Sequence, residues 1–138
     1  MKPSARRKAR EFAVQAIYSW QISHNNIDEI ESHFIIENTK RRFDIPYFQQ
    51  LLQGVHQHVE VIDATIEPHV DRPLKDVDQV EKAIIRLAIY ELMECPDVPY
   101  KVVINEAIEL AKAFATDDSH KFVNGVLDKA VKLIRTDA

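Results

Sequence analysis

The 138-residue sequence predicts an all-α fold, a compact bundle of helices in two packed halves. Three observations carry this. Apolar residues recur at three- and four-residue spacing almost throughout, and no stretch alternates as a strand would. There are only two glycines, Gly54 and Gly125, too few for the many tight turns of an all-β chain. The prolines punctuate the helical pattern, and the break at Pro68 and Pro73 divides it in two. Neither half could bury enough surface alone, so residues 1–138 read as one domain.

The first helix begins at Pro3, where a missing N–H costs little, and runs to about Ser23. Ala9, Ala13, Ala16 and Trp20 form its apolar stripe, with Phe12 and Ile17 beside them; His24-Asn25-Asn26 ends it. A short helix over Asp28 to about Asn38 offers Ile30, Phe34 and Ile35. Asp44 or a neighbour caps a third helix, with Pro46 in its first turn. Its face is Phe48, Leu51, Leu52, Val55, Val59, Ile62 and Ile66. One further turn fits between Pro68 and Pro73. Asp78 caps the next helix with Glu81 at the capping-box position. From Val80 to Leu92 this helix is apolar nearly all round, apart from Lys82, Arg86 and Met93, which marks it as central. Pro96 and Pro99 end it. Tyr100 to about Phe114 packs through Ile104, Ala107, Ile108, Ala111 and Phe114. Thr116-Asp117-Asp118 connects and caps the last helix, Ser119 to Ile134, whose inward residues are Val123, Val126, Leu127, Ala130 and Ile134.

Composition narrows the function. Hydrophobic residues make up 46% and charged residues 29%, a globular balance. The lack of a glycine-rich loop counts against nucleotide-binding enzymes of that kind. No apolar run approaches the roughly 18 residues needed to span a bilayer. The single cysteine, Cys95, cannot form an internal disulfide and suits a reducing cytosolic compartment. The histidines lack metal-ligand spacing, and Ser119-His120 has no third group to complete a hydrolytic site. No cofactor, metal or catalytic residue is expected. Glu91 falls on the inward arc of the central helix, where a carboxylate needs donors; backbone N–H groups of the Val98–Lys101 turn are the expected ones.

The formal net charge is −4, but its distribution is uneven. Lys2, Arg6, Arg7, Lys8 and Arg10 all precede the first acidic residue, Glu11. Cations at a helix N-terminus oppose the macrodipole, so this cluster is either a frayed, solvated end or a phosphate-binding arm. Tyr18 lies opposite the alanine stripe, beside an outward Val14, and is either a protein contact or a scattered surface aromatic. Phe122 sits at the margin of the last helix's inward arc, next to Lys121 and the helix N-terminus. It is either an edge-of-core residue or a base-stacking platform.

Three stretches together resemble the NusB family of transcription antitermination factors. They are Ala5-Arg6-Arg7-Lys8-Ala9-Arg10-Glu11 with Ala13-Val14-Gln15-Ala16-Ile17-Tyr18; Val80-Glu81-Lys82-Ala83 through Tyr90-Glu91-Leu92; and Asp97-Val98-Pro99-Tyr100-Lys101 through Lys112, continuing into Asp118-Ser119-His120-Lys121-Phe122-Val123-Asn124-Gly125. The resemblance implies seven helices and binding of single-stranded boxA RNA. It also implies pairing with the small-subunit ribosomal protein that acts as NusE, and assembly with other Nus factors on RNA polymerase, notably on ribosomal RNA operons, without catalysis. Carried onto this chain, it implies that Lys2, Arg6, Arg7 and Arg10 meet phosphates, that Asp118, Lys121 and Phe122 lie at RNA, and that Val14, Tyr18 and Glu81 face the protein partner. Helical domains of this type also precede the cofactor-binding domain of some RNA cytosine methyltransferases; with no such domain in these residues, an adaptor is expected.

Overall fold

The computed structural model describes residues 3–138 and contains seven α-helices, with no strand among the described residues. Helix α1 spans Pro3–Ser23, α2 Ile27–Glu37, α3 Ile45–Gln57, α4 Val59–Ile66, α5 Gln79–Glu94, α6 Tyr100–Phe114 and α7 Ser119–Ile134. Local chemistry sets several of these boundaries. The Asn26 side chain accepts from the backbone N–H groups of Asp28 and Glu29, Asp44 accepts from Tyr47, and Asp78 accepts from Val80 and Glu81. Each capped N–H is one the helix itself cannot satisfy. His24, at positive φ, closes α1.

Helix α5 is the axis of the molecule. It packs against α1, α3, α4, α6 and α7, while α1 also covers α3 and α2, and α6 pairs with α7. One continuous hydrophobic cluster therefore joins the α1–α4 half to the α5–α7 half. Phe48, Leu51, Ile62, Ile66, Ile84, Ile89 and Leu127 are fully enclosed within it.

Five expectations need correction. The helix expected from Asp44 to Ile66 is two helices that meet at His58, whose backbone leaves helical geometry while its N–H still bonds to the Gly54 carbonyl. At this kink the Tyr90 ring rests against Gly54 and stacks on the His58 ring. The apolar periodicity passes through unbroken, so it could not reveal the kink. The break between halves holds two single 3-10 turns, Glu67–His69 and Leu74–Asp76, the second lying beyond Pro73. Phe114 is exposed rather than inward, because α6 ends at it and its last buried turn closes at Ala111. Asp118 precedes α7 but its side chain caps nothing; the Thr116 and Ser119 hydroxyls pair there instead. The polar sector of α5 is also not solvent-facing: Lys82 and Arg86 are buried, and Arg86 forks onto Asp63 and reaches the Gln21 side-chain oxygen.

Candidate nucleic-acid interface

The first turns of α1 lie beside the start of α6. Between them runs an open groove of about 950 Å³, lined by Arg6, Arg7, Lys8, Arg10 and Glu11 on one side and by Asp97, Pro99, Val102, Asn105 and Glu106 on the other. The four basic residues of α1 in this region have different environments. The Arg6 guanidinium lies 4.2 Å from the centre of the Tyr47 ring and 3.8 Å from Asp44. Lys8 pairs with Glu11 at 2.7 Å. Arg7 donates two bonds of 3.0 Å to Glu106, yet its side chain remains 63% exposed. The hydrogen bond to Glu106 holds the Arg7 pKa above the ordinary arginine value.

Arg10 departs from expectation. It is 4% exposed and donates to both oxygens of Glu91, at 2.8 and 2.9 Å, with a third contact of 3.5 Å to Glu106. Burial works to lower its pKa, but the hydrogen bond and charge of Glu91 outweigh this and hold it above the ordinary value. The guanidinium lies at the floor of the groove with its donors turned to Glu91 and Glu106, which gives Arg10 a structural role. Glu91, 1% exposed, is buried as expected, but its donors are Arg10 and the Tyr47 hydroxyl, at 2.5 Å, rather than the Val98–Lys101 backbone. That backbone turn is held from another side: Arg135 donates to the carbonyls of Leu92, Cys95 and Val98 and to that of Glu91. Lys2 lies outside the described residues.

At the start of α7, Lys121 and Asp118 are exposed and 3.6 Å apart. Phe122 is half-buried against the core, and the Arg72 guanidinium lies 5.0 Å from its ring centre. Of the three residues expected at a protein-partner surface, only Tyr18 is open, at 41%. Val14 is buried, because α1 is flanked by α2, α3 and α5 and so has little free circumference. Glu81 is also largely covered. Ile22, one turn beyond Tyr18, is exposed beside it; the four-residue spacing was the signal for it. Tyr47, Glu106 and Arg72 were missed as well. Nothing in periodicity marks a carboxylate or phenol as the mate of an arginine 37 to 99 positions away. Among the described residues no group of three or more His, Cys, Asp or Glu is placed to hold a metal ion, and no helix is long and apolar enough to cross a membrane.

An all-α bundle built round one central helix, with an arginine-walled groove at its N-terminal edge, has the build of a small helical polyanion-binding protein. The NusB family profile matches residues 7–132. The chain is 70% identical over 135 residues to the transcription antitermination protein NusB of Colwellia psychrerythraea, covering 98% of each. It is 58% identical to that of Idiomarina loihiensis, covering 98% of this chain and 97% of the other. A crystal structure of the antitermination factors NusB and NusE in complex with double-stranded RNA superposes with a TM-score of 0.88. It has 28% identity and covers 96% of this chain and 99% of that one. The chain belongs to the NusB family.

Proposed function

We propose that this chain is a non-catalytic RNA-binding adaptor of transcription antitermination, acting in the cytoplasm as one domain over its whole length. It binds single-stranded boxA-type RNA together with the ribosomal protein that serves as NusE. The pair joins other Nus factors on RNA polymerase to suppress termination, notably on ribosomal RNA operons. The observation that carries this reading is the α1–α6 groove, where Arg6 and the exposed edge of Arg7 face solvent from a helix packed firmly on the core. Guanidinium groups already oriented by Asp44 and Glu106 meet phosphates with less ordering cost than free ones. Family membership supports it, and the solved relative that pairs NusB with NusE and double-stranded RNA supports the RNA-binding and NusE-pairing parts.

Within this reading Arg6, Arg7 and Lys121 contact phosphates, with Lys2 as a further candidate, and Tyr18 with Ile22 meets the protein partner. Arg10 and Val14 drop out. Three phosphate contacts on a single strand correspond to a log–log salt slope of about −2. The test is fluorescence anisotropy of labelled boxA-like RNA, scrambled RNA and a duplex of the boxA-like sequence, across a salt series, with and without the ribosomal partner. Preference for the single boxA-like strand, strengthened by the partner and weakened by salt, is expected. Equal weak binding to all three overturns the reading.

A further inference from the structure

Four of the eight arginines in the described residues donate to distant groups: Arg7 to Glu106, Arg10 to Glu91, Arg86 to Asp63 and Arg135 to four carbonyls. Arg72 is different. It lies on the segment between the halves, and its ion pair is with the adjacent Asp71, at 2.9 Å. Its guanidinium is nonetheless placed over Phe122, which is 50 positions away and on another helix. The Phe122 ring itself packs against the hydrophobic cluster. A ring seated on a core with a guanidinium over it has little free face left for a nucleobase. A guanidinium is also planar and weakly hydrated, and it stacks on aromatic systems from both of its faces.

We propose that Arg72, supported from beneath by Phe122, is the surface on which an unpaired RNA base stacks, so that the base meets the guanidinium rather than the phenylalanine ring. The inference rests on the RNA-binding reading above and adds to it a residue from the inter-half segment. Lys121, adjacent to Phe122 in sequence and exposed, and Lys75, which lines the same shallow cavity as Arg72, flank the stack with charges for the neighbouring phosphates. The Phe122 ring then acts as a positioning residue, holding the guanidinium plane through the cation–π contact.

The test uses the full chain with its ribosomal partner and a single-stranded boxA-like RNA carrying 2-aminopurine at one position at a time. Stacking of the analogue on the protein is read as fluorescence quenching on binding, and affinity is read across a salt series. In the wild type one position is quenched. Arg72→Ala abolishes that quenching and weakens binding by at least about fivefold, with the salt slope little changed. Arg72→Lys keeps the charge and the slope but still loses the quenching. Phe122→Leu lowers the quenching with the slope intact. Quenching retained in Arg72→Ala and lost only in Phe122→Leu overturns the proposal in favour of direct stacking on the ring. Arg72→Lys matching wild type in every readout overturns it in favour of a simple charge contact. If instead Arg6→Ala weakens binding while both Arg72 variants are silent, this proposal alone fails. If wild type does not bind the RNA, it fails together with the functional reading.

Discussion

Arg10→Ala is expected to be a stability variant, although its sequence context is that of a phosphate ligand. The guanidinium is 4% exposed and holds both oxygens of Glu91, which is itself 1% exposed and also accepts from Tyr47. Removing Arg10 strands a buried carboxylate with one neutral donor. Breaking a buried ion pair from one side costs about 3–5 kcal/mol, a large part of the 5–15 kcal/mol by which domains are typically stable. Urea unfolding followed by circular dichroism at 222 nm measures this directly. Loss of RNA binding in the single variant would not distinguish the two roles, since unfolding also abolishes binding. The combined variant Arg10→Met, Glu91→Leu, Tyr47→Phe does distinguish them. It replaces the whole polar set by apolar groups of similar volume, an exchange that is often neutral or stabilising. It should recover most of the lost stability and bind RNA with the wild-type salt slope. A slope flattened by about 0.7 would mean that Arg10 touches phosphate after all. An Arg10→Ala variant within about 1 kcal/mol of wild type would refute the assignment of the pair as structural.

Three further outcomes follow from the same geometry. Gly54→Ala drives a methyl group into the Tyr90 ring and should cost about 1–3 kcal/mol through overpacking; Gly54→Ala with Tyr90→Leu should cost less than the sum of the two alone, by the same urea assay. Arg135→Ala removes a donor from four carbonyls at and beyond the end of α5, of which those of Glu91 and Cys95 keep a backbone N–H, and should lower stability by about 2 kcal/mol. Arg135→Lys should not restore the loss, because one ammonium cannot span that fork; thermal unfolding of the three chains decides it. Burial, with the charge and hydrogen bond of Glu91, pushes the Tyr47 phenol far above its usual value of 10.0. The raised folded pKa means that this stabilisation is complete below about pH 10 and is lost as pH climbs towards the folded value. The loss is about 1.4 kcal/mol per pH unit for one proton. Tyr47→Phe should therefore be less stable at neutral pH but lose stability less steeply between pH 10 and 11, and parallel curves would remove Tyr47 from the account.

Helix positions were legible in the sequence because they depend on local chemistry: the caps at Asp44 and Asp78 and the apolar spacing of α5 all act within a few residues. The His58 kink was not legible, since both sides of it continue the same apolar face. Site residues divide along a similar line. Tyr18 is open, as its angular position implied, whereas Val14 shares nearly the same direction and is covered. Helical angle tells which residues point together, not how much of the helix its neighbours cover, and α1 is flanked by α2, α3 and α5. The partners of Arg7 and Arg10 lie on α5 and α6, more than 80 positions away, beyond the reach of any pattern along the chain.

This changes what the basic N-terminus means. Cations in the first turns of a helix oppose its dipole, and five of them before any acid look like a device for binding polyanions. Glu91, Glu106, Asp44 and Glu11 lie within 4 Å of the four described ones, so tertiary carboxylates offset much of that local penalty. Part of the cluster is thus needed to seat α1 on α5 and α6. The residue count therefore overstates the charge available to a ligand, and exposure ranks the candidates better. Arg7 is the most open, Arg6 and Lys8 are about equally open with one acid each, and Arg10 is nearly enclosed. Arg7 has a further consequence. A phosphate arriving at its exposed edge need not break the Glu106 fork, because a guanidinium presents five N–H donors and the fork uses two. Glu106 then orients Arg7 without neutralising its outer edge. Glu106→Gln should lower RNA affinity by loosening Arg7 rather than raise it by removing a negative charge, and an increase in affinity would show that Glu106 competes with phosphate instead of positioning its ligand.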